Sequence, residues 1–123
     1  MPVLRSIALA AVTLVTGSLL ACTTAAAQQV DPGFVVRTNV PGKAINCESG
    51  HFCVNINGRT YDYYRCGIYP VSGWVGPGYG WNHQTGNVWA AVLMQDRKTV
   101  WRWFPPNAQG YEDMTPVYFV QPC

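Results

Sequence analysis

The chain has 123 residues, 49% of them hydrophobic and only 11% charged, with eight Lys and Arg against six Asp and Glu. So small an imbalance gives no electrostatic case for nucleic acid or an anionic membrane surface as a partner. The length supports one domain rather than several.

Residues 1–27 read as a targeting segment. Arg5 precedes a charge-free apolar stretch over 6–21, the pattern of a signal peptide and too weakly flanked for a membrane span. Two ends fit. Ala25-Ala26-Ala27 ahead of Gln28 is a small-x-small cleavage site, implying a secreted protein. Leu19-Leu20-Ala21-Cys22 resembles a bacterial lipobox, implying a lipid anchor at Cys22 on the cell envelope. Either way residues 28–123 form a single domain, and loss of Arg5 leaves seven basic against six acidic residues.

That domain keeps Cys47, Cys53, Cys66 and Cys123. An even number in an exported chain predicts two disulfides. The spacings of six, thirteen and fifty-seven residues contain no C-x-x-C pair, so zinc is not expected. No window holds a helical apolar stripe free of Gly and Pro. Short apolar runs between Gly, Pro and Asn predict an all-β fold instead.

In chain order, residues 34–37 form a short strand ended by Pro41-Gly42. A hairpin follows, 51–57 with 58–65, around Asn57-Gly58, a pair suited to a type I′ turn. Residues 67–87 hold six glycines and four aromatics, and read as too Gly-rich for regular strand pairing. A second hairpin, 88–94 with 99–104, turns at Gln95-Asp96-Arg97-Lys98. Residues 105–116 read as a loop, 117–120 as the last strand. Trp101 and Trp103 share one strand face with Arg102 on the other, the alternation of a half-buried strand, and are expected in the core.

The first hairpin bears on the disulfides. A two-residue turn at 57–58 sets 56 opposite 59, 54 opposite 61 and 53 opposite 62. Cys66 then lies four residues beyond the partner of Cys53, roughly 13 Å along the strand. A disulfide needs Cα atoms within about 7 Å. Cys53 and Cys66 therefore should not bond. Extending the ladder through Ser49-Gly50 places Cys47 near Cys66, so the register predicts Cys47–Cys66 and Cys53–Cys123, provided no bulge intervenes.

Several stretches together suggest a family. Cys47, Gly50, Phe52 and Cys53, then Trp81-Asn82 with Gln84-Thr85, then Pro116-Val117-Tyr118 and the terminal Cys123 resemble the small exported βγ-crystallin-like proteins of actinobacteria grouped as a peptidase-inhibitor family. The type member inhibits a metalloproteinase. The resemblance implies a disulfide-stapled Greek-key β-sandwich, exported, with a peptidase as partner. It also raises calcium, for which 82–86 is the nearest stretch. His83 and Gly86 replace oxygen ligands there, and a plain turn is the better reading.

No catalytic constellation is present. Ser49 and Ser72 are not in a nucleophile elbow, and Ser49 with His51 lacks a third group. Two histidines without spacing make no metal site. Asp62, Asp96, Glu112 and Asp113 read as solvated turn acids rather than a glycosidase pair. The expectation is a non-enzyme, a monomer, with no cofactor and no metal. Three functions stay open: a peptidase inhibitor, a cell-envelope or glycan-binding module using exposed aromatics, and an interaction protein without a small ligand. The candidate binding loop is Trp74, Val75, Gly76, Pro77, Gly78 and Tyr79, with Trp74 and Trp81 packing its two ends. Residues 105–111 are next in line.

Overall fold

Period-two alternation and Gly-Pro-Asn punctuation produce nine strands and, among the described residues, no helix. The computed structural model describes residues 31–123; the leader reading, with Cys22, lies outside the described residues. The strands are β1 (Phe34–Thr38), β2 (His51–Ile56), β3 (Arg59–Tyr63), β4 (Tyr69–Pro70), β5 (Pro77–His83), β6 (Ala90–Leu93), β7 (Val100–Phe104), β8 (Gln109–Asp113) and β9 (Phe119–Gln121). They form two antiparallel sheets, ordered β1-β3-β2-β5-β8 and β4-β9-β6-β7. The chain is a small all-β sandwich stapled by two disulfides.

The first hairpin forms as its turn dictates. Asn57 and Gly58 both take positive φ, 53° and 73°, the geometry that matches strand twist. Ile56 faces Arg59, Val54 faces Tyr61 and Cys53 faces Asp62. Alternation then turns Phe52, Val54 and Ile56 inward with Tyr63. Ala90, Val92, Phe104 and Val120 of the other sheet meet them in one buried cluster. At roughly 25 cal/mol per Å² of apolar surface, this cluster is the main stabilising term.

Three expectations are corrected. The first is strand β5, placed in a segment judged too rich in glycine to pair. It pairs with β2 on one side and β8 on the other. Its glycines serve packing. A Cβ on Gly80 would sit 2.4 Å from the Phe104 ring, and one on Gly78 would sit 2.7 Å from Met114. Glycine is what lets the second sheet approach this strand. Asn82, fully buried on the same strand, ties the sheets together. Its Nδ2 donates to the carbonyls of Val88 at 2.8 Å, Phe104 at 2.8 Å and Pro105 at 3.1 Å. Its Oδ1 accepts from Gln84 Nε2 at 3.0 Å, and that amide also donates to Pro122 O at 2.6 Å. The Trp-Asn-x-Gln stretch is a structural bracket, and the Asn82 and Gln84 carboxamides are engaged within it.

The second correction is the disulfide pairing. Cys47 bonds Cys53, with Cα atoms 5.9 Å apart, and Cys66 bonds Cys123, at 4.9 Å. Cys53 and Cys66 do not bond, as the register requires, but the predicted Cys47–Cys66 and Cys53–Cys123 bridges are absent. The ladder between β2 and β3 stops at Phe52, opposite Tyr63. Gly50 takes φ 92°, and His51 N donates to Glu48 O at 3.1 Å. This turn swings Cys47 back over β2 instead of onward beside β3.

The third concerns β7 and β8. Residues 105–116 are not all loop, because β8 (Gln109–Asp113) forms the edge of the larger sheet. Trp101 and Trp103 are not core; they are 39% and 53% exposed. Arg102 takes the inward side instead, with its guanidinium 4.8 Å from the Phe104 ring centre and an ion pair to Glu112 at 2.8 Å. Arg102 also donates to Tyr111 O, and Trp101 Nε1 to Asp113 O, both at 2.8 Å. Two outward carbonyls of β8 are thereby capped, which protects an edge otherwise open to strand addition.

Candidate functional site

The outer face of the larger sheet carries the site. On β5, Gly78, Gly80 and Asn82 point inward, so Tyr79, Trp81 and His83 point outward. The register sets Asn55 of β2 and Tyr111 of β8 on either side of Tyr79, and Gln109 beside Trp81. Three aromatic rings and two carboxamides therefore share one open face. The Tyr79 and Tyr111 rings meet edge to face at 5.0 Å, and Trp81 stacks on His83 at 4.8 Å. Tyr111 is 75% exposed.

One wall stands over this floor. Residues 39–47 cross the outer side of β2 and β3, so that Thr60 and Asp62, on outward rungs, are buried. Asp62 anchors the crossing: it accepts from Arg37 Nη1 at 2.7 Å and lies 2.6 Å from His51 Nδ1. Arg37 Nη2 reaches Asn46 O at 2.8 Å, and the Cys47–Cys53 bridge pins the end. Lys43, Ala44 and Ile45 face the aromatic floor across a cleft of about 470 Å³.

Hydrogen bonds orient the two carboxamides. Thr60 Oγ1 donates to Asn39 Oδ1 at 2.6 Å, and Asn39 Nδ2 donates to Asn55 Oδ1. The Asn55 carbonyl is thus engaged and its Nδ2 is left for the cleft. The Tyr79 hydroxyl donates to Gln109 Oε1, leaving Gln109 Nε2 likewise. Each amide presents N–H groups.

The predicted site residues separate. Trp74 is buried, edge-on to Tyr61 at 5.0 Å. Val75 is 66% exposed. Gly76 N donates to Thr115 Oγ1, and Gly76 O accepts from Met114 N, both at 2.9 Å. Pro77, Gly78, Tyr79 and Trp81 belong to β5. Residues 74–79 are thus a bend running into an interior strand, not a free loop with a tryptophan at each end. The strand's backbone partners are β2 and β8, which leaves it no edge for a protease. Within 105–111, Gln109 and Tyr111 are strand residues of the cleft floor. Lys43 and Asn55 were missed, and Gln109 and Tyr111 were reached only as part of the second candidate loop, not as strand residues. The i, i+2 spacing of Gln109 and Tyr111 is the signal that could have found them, masked by Pro105-Pro106-Asn107 before it and Gly110 within it.

A second aromatic face lies on the smaller sheet, where Trp89 and Trp103, 49% and 53% exposed, meet edge to face at 6.3 Å. Among the described residues no helix is long and apolar enough to cross a membrane. No protein-family model, curated protein or solved structure matches the chain.

Proposed function

We propose that the protein is an exported carbohydrate-binding module that holds a glycan chain in the cleft over β2, β5 and β8. The observation that supports this reading is the placement of Tyr79, Trp81 and Tyr111 on one open sheet face beside two amide donors. A pyranose has apolar C–H faces and a polar rim. Aromatic rings take the former and carboxamides the latter. Tyr79 and Trp81 sit on a strand paired on both sides, so little ordering is required on binding. The leader pattern and the two disulfides favour an oxidising, extracellular or envelope setting.

The peptidase-inhibitor reading rests on the family resemblance. Residues 75–79 lend it no projecting segment, and the exposed Val75 is its only remaining foothold there. The test is titration with β-1,4-linked hexasaccharides of glucose and of N-acetylglucosamine, followed by intrinsic tryptophan fluorescence and calorimetry. Saturable binding that W81A abolishes is expected. No binding to either sugar, together with inhibition of an exported metallopeptidase, would replace this reading with the inhibitor.

A further inference from the structure

We infer that the cleft selects an acidic glycan, one whose sugar rings carry carboxylates, and that Lys43 is the residue that recognises the charge. This rests on the carbohydrate reading above. Among the described residues, Lys43 is the only charged one lining the cleft. Among the described residues its ammonium has no ion-pair partner. All six Asp and Glu side chains are accounted for elsewhere. Asp31, Asp62 and Glu112 pair with arginines, and Glu48 lies 3.9 Å from His51. Asp96 and Asp113 accept hydrogen bonds within their own turns. The cleft is therefore a cation without a counter-charge.

The neutral groups agree with it. With Asn55 Oδ1 held by Asn39 and Gln109 Oε1 held by Tyr79, both carboxamides turn N–H groups toward the ligand. Lysine offers three more and accepts none. Donors outnumber acceptors here, where the Tyr79 and Tyr111 hydroxyl oxygens are the main side-chain acceptors left, and that balance suits a ligand rich in acceptors. A carboxylate has two oxygens with about four lone-pair positions, whereas a neutral sugar hydroxyl brings a donor that finds few acceptors here. A hydrogen bond between charged groups is also about twice as strong as a neutral one. Lys43 stands on the wall and the aromatic rings on the floor, so a sugar lying flat on Trp81 or Tyr79 turns its rim, where the carboxylate is attached, toward the ammonium.

The experiment compares three ligands by calorimetry: a hexuronate tetrasaccharide, its carboxyl-reduced counterpart, and a disaccharide carrying a lactyl ether carboxylate. At least one acidic ligand should bind about tenfold or more tightly than the reduced form, the scale of one charge-assisted hydrogen bond. Which acidic ligand is preferred identifies the source of the carboxylate. The ratio should shrink as salt is raised, because the pair is exposed. K43M should bring the ratio to within about twofold and K43R should restore it, with thermal melts confirming that both variants fold. Equal wild-type affinity for acidic and reduced ligands, or a ratio that survives K43M, overturns the acidic selectivity and leaves the carbohydrate reading intact. No binding of any of the three overturns the acidic selectivity, and it overturns the carbohydrate reading as well where the neutral hexasaccharides also fail to bind.

Discussion

Replacing Asn82 by Leu should be among the most damaging single changes in the domain. The side chain is fully buried, and leucine keeps its branching and heavy-atom count without a polar end, so every side-chain hydrogen bond is lost. Asn82 Nδ2 serves the carbonyls of Val88, Phe104 and Pro105, and its Oδ1 serves Gln84. The Phe104 contact is wholly buried, and an unsatisfied buried acceptor costs about 1–3 kcal/mol. The part-buried carbonyls recover some of their loss from water. A total of about 2–4 kcal/mol follows, a large fraction of the roughly 5–15 kcal/mol typical of a domain. At about 4–8 °C per kcal/mol for this size, the melting temperature should fall by roughly 10–30 °C. Urea unfolding followed by tryptophan fluorescence measures it, with an unchanged m-value showing that only stability moved. N82D should do no better, because it sets oxygens against three carbonyls. A loss below about 1 kcal/mol for N82L would refute the claim that Asn82 brackets the two sheets.

Peptide mapping without reductant should recover Cys47–Cys53 and Cys66–Cys123, and a Cys47–Cys66 peptide would contradict the fold. Because the bridges span 6 and 57 residues, chain entropy makes their removal unequal, about 2 kcal/mol for the first and about 4 kcal/mol for the second. Denaturant curves of C47A/C53A and C66A/C123A check the order. Gly80→Ala places a Cβ 2.4 Å from the Phe104 ring and should cost about 1–3 kcal/mol by overpacking, read as a lower urea midpoint. Hydrogen bonds from the Thr99 hydroxyl, then from the Thr99 and Lys98 amides, hold Asp96 down from 3.8 to about 2. Asp31, through the Tyr64 hydroxyl first, and Asp113, through the Thr115 amide first, are lowered too. A folded-state value below the unfolded one contributes stability that is present above about pH 3.8 and is lost as pH falls toward about 2. Thermal melts from pH 6 to pH 2 should be flat above pH 4 as far as these groups are concerned, and D96N should flatten part of the acid decline.

The all-β architecture was legible because turn chemistry and alternation agree at the first hairpin, where both turn residues take positive φ. Asn57-Gly58 placed every rung of the first hairpin. Reading failed where glycine serves packing: Gly78 and Gly80 look like loop residues until Met114 and Phe104 are seen above them. No single-strand pattern encodes that approach. Trp101 and Trp103 were misplaced because period two assigns residues to opposite faces without saying which face is buried. Here Arg102 lies inside the sheet edge, covered by Phe104 and paired to Glu112. The cysteine pairing failed at Gly50, whose positive φ ends the ladder. Half the cleft was within reach. Tyr79 and Trp81 were singled out as parts of a loop, Trp81 as a packing anchor at its end, whereas both lie on the outer face of β5. Asn55 joins them through the pairing of β2 with β5, and Lys43 only through a chain crossing that the buried Asp62 and a disulfide hold in place.

The most direct test of the carbohydrate-binding account is a two-dimensional nitrogen–proton NMR titration that follows the five tryptophan indole N–H signals as a hexasaccharide is added. Trp81 lines the cleft, Trp74 is buried beside Tyr61, and Trp89 and Trp103 lie on the opposite sheet. The Trp81 signal should move with saturation, along with the side-chain amides of Asn55 and Gln109, while Trp89 and Trp103 stay fixed. Saturable movement of Trp89 and Trp103 with Trp81 unmoved would contradict it and place the binding face on the smaller sheet.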